Sequence, residues 1–276
     1  MLPDGVGAAV NDRIRRLAIL LLPPFVTNAI RALRRSAARN NAQALPVVSE
    51  LESAPPPVPA VRSYWGLHDL DGQIEKYLNF DSGYFVELGA NDGKLASNTF
   101  YYEKSRNWRG ILIEPAPNLF LLCRENRSTE NHIVCAACVS SEYKDEFVKI
   151  IYSNSMSVSL NVETDIGDPA AHAELGRQFL RPDETVFAFG AIARTLNSIL
   201  QEAAAPPRID FLSLDVEGSE IEVLKGVDHE AFRFRYMLIE CRDIARLSDY
   251  LGPLRYRLVE KFNEHDYLFA DQPVTA

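Results

Sequence analysis

The chain has 276 residues, 47% of them hydrophobic and 24% charged, a globular composition with room for one well-buried α/β domain plus appendages. Its formal net charge of −9 argues against a nucleic-acid binder held by phosphate neutralisation. Residues 1–40 carry seven Arg against Asp4 and Asp12, a net of +5, so the remainder carries −14 and the basic tip and acidic body have different tasks.

Residues 11–39 form an apolar stretch flanked by arginines, but Leu17 to Val26 is only ten residues and contains Pro23 and Pro24. A membrane-spanning helix needs about 20 apolar residues. The spacing instead predicts two short helices broken at the prolines. They either lie peripherally on an anionic membrane surface or pack as an arm on the body or a second subunit. No small-residue cleavage site follows, so a removed leader is not expected. Residues 41–62 hold five prolines without apolar periodicity and read as a semi-extended linker, which starts the folded domain near Ser63.

From there, continuous apolar runs at Tyr84–Leu88, Gly110–Ile113, Ile133–Val139, Phe211–Leu214 and Tyr236–Ile239 suit strands covered on both faces. Helical stretches over about 96–105, 117–126, 219–225 and 242–251 alternate with them, so βαβ units in a doubly wound sheet are expected. Tyr256–Lys261 and Asp266–Phe269 read as a closing antiparallel hairpin. Residues 141–193 interrupt the rhythm as an insertion with one strand (KDEFVKIIYS) and one helix (DPAAHAELGRQFL), placed to shape a substrate pocket. ARTLNSILQEA follows as a helix with Thr195 at its N-cap. Of the four cysteines, Cys135 and Cys138 sit in IVCAACV, where strand alternation points them to opposite faces. Zinc or redox use is therefore disfavoured and reduced thiols in a cytoplasmic protein are expected.

Three motifs carry chemistry. In YFVELGANDG a strand runs into a turn where Gly89 and Gly93 allow sharp reversal and close approach of a ligand. A dinucleotide site would show G-x-G-x-x-G. Here Glu87, Asn91 and Asp92 surround the turn, and acids there disfavour phosphate and favour a ligand with ammonium and sulfonium groups, as in S-adenosylmethionine. In WRGILIEP, Glu114 closes a second strand 25 residues after Gly89, where an acid accepts from both ribose hydroxyls. In DFLSLDVEGSEIEVLKG, Asp215 is expected at the carboxyl end of the fourth strand, with Glu217 and Gly218 in the turn, Ser219 as helix cap and Glu220 in the first helical turn. Asp215 and Glu217 could position a hydroxyl, face a cationic donor or bind a metal; no metal is assigned.

With GYFVELGANDG, SNTFYYEK, NWRGILIEPAPNLF, ARTLNSIL, DFLSLDVEGSEIEVLKG and HDYLF in order across about residues 63–270, the chain resembles the FkbM family of S-adenosylmethionine-dependent methyltransferases. The resemblance implies a Rossmann-like class I methyltransferase: a doubly wound, mostly parallel seven-stranded sheet with a terminal antiparallel hairpin. It implies transfer to a hydroxyl of a sugar, glycan or secondary metabolite. It places Glu87, Gly89, Asn91 and Gly93, in the turn shared by Ala90 and Asp92, at the methionine end of S-adenosylmethionine. Glu114 would hold the ribose, Ala136 and Ala137 would lie near the adenine, and Asp215 and Glu217 would face the transfer point. Family members often carry Asp after the Thr-Leu pair, where this chain has Asn197. An alcohol acceptor needs a base, for which Asp215 ranks first and His265 second; His68, His132, His172 and His229 have no supporting context. The competing readings are a non-catalytic adaptor docking through the basic arm and an NAD-dependent oxidoreductase, the latter weakened by the missing G-x-G-x-x-G.

Overall fold

The computed structural model describes residues 63–272. The expected basic arm (1–40) and proline-rich linker (41–62) lie outside the described residues. Among the described residues no helix is long and apolar enough to cross a membrane.

Seven strands form the main sheet in the order β10-β11-β9-β8-β1-β2-β3: β1 (Tyr84–Leu88), β2 (Arg109–Ile113), β3 (His132–Val134), β8 (Arg208–Leu214), β9 (Arg233–Glu240), β10 (Tyr256–Lys261) and β11 (Asp266–Asp271). The first five pair in parallel, whereas β11 runs antiparallel to both β9 and β10. This is the doubly wound, mostly parallel sheet with a closing hairpin that the motif order implies.

Burial on both faces explains why β1 is apolar except at Glu87. Val86 and Leu88 pack on one face with Leu212, Leu214, Met237 and Ile239, beneath helices α5 (Leu196–Glu202) and α7 (Ile244–Leu251). Phe85 packs on the other face with Leu112, Phe211 and Leu238, beneath Tyr101, Tyr102 and Cys123 of α2 (Phe100–Arg106) and α3 (Pro117–Asn126). A strand covered on both sides has no reason to alternate in polarity. The shorter α1 (Leu70–Gln73) precedes the sheet.

Helix starts follow local chemistry. Pro117 opens α3 with its φ already helical and no N–H to satisfy. Thr195 Oγ1 accepts the Ser198 N–H at 3.1 Å and Asp243 Oδ1 that of Arg246 at 3.0 Å, capping α5 and α7. Asn197, the departure from the family pattern, accepts the Asp228 N–H at 3.3 Å and ties α5 to a loop.

Two expectations are corrected. The run 133–139 is not one strand: β3 ends at Val134, and Ala137–Cys138 form β4 in a second sheet. A buried apolar run carries no mark of the point where it changes sheets. That four-stranded sheet, in the order β4-β7-β5-β6, is built largely from the insertion: β5 (Phe147–Tyr152), β6 (Val158–Ser159) and β7 (Phe187–Arg194). Helix α4 (Pro169–Leu175), capped by Asp168, lies between β6 and β7 in the chain. The second correction is Ser219, which holds the N-cap position of α6 (Glu220–Leu224) but makes no capping bond. Glu220 instead holds the turn before the helix, accepting the N–H groups of Val216 and Gly218, both at 3.1 Å.

Candidate active site

The strand order reverses between β1 and β8, the place where open α/β sheets bind ligands beyond their carboxyl ends. A cleft lies there, with about 870 Å³ of space including its open mouth, a size suited to a small molecule. One wall comes from the ends of the main strands. The insertion supplies the other, with Ile150, Asn154, Ser155, Ser157 and Ser159.

Glu114, which follows β2, is 5% exposed. Its Oε2 accepts the Asn91 N–H at 2.8 Å and its Oε1 that of Ala116 at 2.9 Å. Burial pushes this carboxyl up to about 7, outweighing the two N–H groups that favour the anion. Each oxygen retains a lone pair for a further donor. Ile113, Ala136, Ala137, Cys138 and Ile150 line the cleft alongside it. An acid beside an apolar slot suits a nucleoside, with the hydroxyls on the carboxylate and the flat base in the slot. Burial also raises the Cys138 thiol to about 12, leaving it neutral and unreactive.

The glycine turn divides into residues that meet the cleft and residues that support it. Gly89 lines the cleft at φ +74°, and a Cβ there would stand 1.9 Å from the Asp215 carbonyl oxygen, so only glycine lets β1 and β8 close up. Asn91 also lines the cleft, at φ +48°. Ala90 and Gly93 are buried away from it. Asp92 accepts the N–H groups of Lys94 and Leu95 at 3.0 and 2.8 Å and pairs with Arg181.

Glu87 departs furthest from its expected place at the methionine end. Alternation puts its side chain on the Phe85 face, where it accepts from Ser97 Oγ at 2.9 Å, Asn98 N at 3.0 Å and Thr99 Oγ1 at 2.6 Å. The fully buried guanidinium of Arg127 stands 3.3 Å from Glu87 and 2.6 Å from Glu103. Glu87 therefore anchors the loop over 93–99 from behind, and its oxygens are occupied by the protein.

The other end of the cleft is acidic. Asp215 is exposed to the cleft just beyond β8, and its carboxyl shares a hydrogen bond with Glu240 at the end of β9. Desolvation by the surrounding cleft wall, then the charges of Glu240, Glu217 and Glu220, raise the Asp215 carboxyl above the usual carboxylate range, although its surface remains open to the cleft. Glu217 lines the cleft from a left-handed conformation, φ +54°. Asp215, Glu217 and Glu240 each place one oxygen within 4.8 Å of the others, a donor set suited to a hard divalent cation. Arg242 Nη2 already brings positive charge to this cluster, 2.9 Å from Glu217 and 3.3 Å from Glu240.

His265 does not join the cleft lining. It is exposed in the hairpin between β10 and β11, its N–H donating to Asn263 Oδ1 at 2.8 Å. The histidine brought to the acidic end is His172 of α4, whose Nε2 lies 2.9 Å from Glu217 Oε2. Glu240 could have been found as Asp215 was, since it closes the next parallel strand; His172, Asn154 and Arg242 had no local signal.

The sequence model of the FkbM methyltransferase domain matches residues 87–269, well over half of the chain. No curated protein matches the sequence. Among solved structures, the human methyltransferase 10 domain containing protein is 12% identical, with a TM-score of 0.39 over 74% of this chain and 80% of its own. Precorrin-6y C5,15-methyltransferase from Geobacter metallireducens GS-15 is 13% identical, with a TM-score of 0.37 over 73% and 86%. The strand order rather than these superpositions carries the fold assignment. The matched segment runs from within β1 to within β11 and takes in every strand between them; the chain belongs to the FkbM family of S-adenosylmethionine-dependent methyltransferases.

Proposed function

We propose that the chain methylates a hydroxyl oxygen of a sugar, glycan or secondary metabolite. The observation that carries this reading is Asp215, a carboxyl exposed to a cleft that the hydroxyls of Ser155, Ser157 and Ser159 also line. A nitrogen acceptor with a free lone pair needs no base as it attacks, whereas an alcohol must lose its proton.

S-adenosylmethionine, when bound, supplies an electrophilic methyl group on a sulfonium. Glu114 would accept from its ribose hydroxyls, Ala136 and Ala137 would lie beside its base, and Gly89 would leave the backbone open to close approach. Asp215 and Glu217 favour its positive charges. Asp215 would take the acceptor's proton as the acceptor oxygen attacks. Most of the rate gain comes from alignment of oxygen, carbon and sulfur. The four free cysteines fit a cytoplasmic setting for this chemistry.

The test supplies methyl-labelled S-adenosylmethionine with extracts of glycans, sugars and secondary metabolites, followed by mass spectrometry of labelled products. Label in a methyl ether is the expected result. Label on nitrogen or carbon, or donor binding without transfer as an adaptor would show, overturns the reading.

A further inference from the structure

The insertion is joined to the donor turn by a closed ring of side chains. Asn91 Nδ2 donates to Asn154 Oδ1 at 3.2 Å, and Arg181 Nη2 donates to Asp92 Oδ2 at 3.0 Å. Asn91 and Asp92 are neighbours in the turn; Asn154 and Arg181 belong to the insertion, 27 positions apart. Glu184 closes the ring. Its Oε2 accepts both Asn154 Nδ2 and the Arg181 N–H, each at 2.9 Å, while its Oε1 accepts the Tyr152 hydroxyl at 2.6 Å and Asn118 Nδ2 at 3.3 Å. Those donors favour the charged form of Glu184, and burial opposes it; the balance lowers its pKa.

The ring connects the two walls of the cleft. On one side, the Asn91 N–H donates to Glu114, the acid placed for the ribose. On the other, Asn154 is followed directly by Ser155, Ser157 and Ser159, which line the cleft. Asn154 is itself buried at φ +54°, a conformation that asparagine tolerates better than other side chains with a Cβ. A ligand that fixes Glu114 and Asn91 therefore also fixes the start of the serine wall.

We propose that Asn154 and Arg181 are positioning residues that register the serine-lined acceptor wall on the donor turn, so that filling the donor site orders the acceptor site. The inference rests on the donor-site assignment above. It makes the insertion part of the catalytic geometry, and it predicts ordered binding with the donor first.

Hydrogen exchange of the full chain with and without S-adenosylhomocysteine tests it without knowledge of the acceptor. In the unaltered protein, ligand should slow exchange at least fivefold both in the turn over 88–94 and in the segment over 153–185. In the Asn154→Gly and Arg181→Ala double variant, ligand should still protect the turn, with Kd changed less than threefold, but should leave 153–185 within a factor of two of its ligand-free rate. Glycine keeps the left-handed backbone, so the change removes the Asn154 side-chain bonds to Asn91 and Glu184 without forcing a new backbone conformation. Arg181→Lys, which keeps the charge, should restore part of the protection. Undiminished protection of 153–185 in the double variant overturns the proposal. So does protection confined to 88–94 in the unaltered protein. Failure of the unaltered protein to bind S-adenosylhomocysteine at all sinks the donor-site assignment and this inference together, and calorimetry distinguishes that outcome from the others.

Discussion

In its proposed place at the ribose, Glu114 should make donor affinity depend on pH near neutrality. Its buried carboxyl titrates at about 7 in the free protein, yet accepting from two ribose hydroxyls requires the anion. Acidification therefore forces binding to expel a proton from Glu114, and affinity is lost as pH falls through 7. For one group of this pKa, the charged fraction drops about tenfold between pH 8 and pH 6, so Kd rises about tenfold, equivalent to ~1.4 kcal/mol. The assay is calorimetric titration with S-adenosylhomocysteine across that range, on the unaltered protein and on Glu114→Gln. The ligand's own amino group titrates identically against both proteins, so the difference between the two curves isolates Glu114. Glu114→Gln should bind at least tenfold more weakly at pH 8 and lose the tenfold pH response. Equal slopes for the two proteins would refute the ribose assignment.

Three further outcomes follow from the same geometry. Asp215→Asn should lower kcat by about 10²–10⁴ with donor Kd changed only a few-fold, whereas His265→Ala should leave both within twofold, as steady-state rates and calorimetry would show. Arg127→Ala removes the buried cation facing Glu87 and Glu103, leaves Glu87 without an opposite charge, and should cost about 3–5 kcal/mol in urea denaturation; Glu87→Gln should lower the denaturation midpoint while leaving donor Kd within twofold, because the Glu87 oxygens are engaged by the loop over 93–99. Gly89→Ala meets both the Asp215 carbonyl and a positive φ, and should lose about 3 kcal/mol or fail to fold, read as a fall in Tm or in soluble yield.

The main sheet was legible because its strands are short apolar runs punctuated by glycine turns and capped helices. Tyr84–Leu88 and the helix opened by Pro117 follow from local chemistry alone. Glu114 and Asp215 were legible for a related reason, since both lie just past the carboxyl end of a parallel strand and that position already faces the cleft. What escaped depended on residues distant in sequence. The fate of Glu87 is decided by Arg127, forty positions on, and the run 133–139 divides between two sheets because β7 offers a second partner. The insertion could be expected to shape a pocket, but the serine wall and its ring to Asn91 and Asp92 exist only once β5 and β7 are paired. The acidic end was half visible, because Glu240 closes a strand as Asp215 does, while His172 reaches Glu217 from another part of the chain.

In the proposed function, the cleft at the β1–β8 switch point holds S-adenosylmethionine with its ribose on Glu114 and its sulfur toward Asp215. A crystal structure of the complex with S-adenosylhomocysteine tests it most directly. Both ribose hydroxyls should lie within hydrogen-bond distance of Glu114, the base between Ala136–Ala137 and the insertion, and the sulfur facing the Asp215 carboxyl. A ligand seated elsewhere, or one whose ribose leaves Glu114 unengaged, would contradict it.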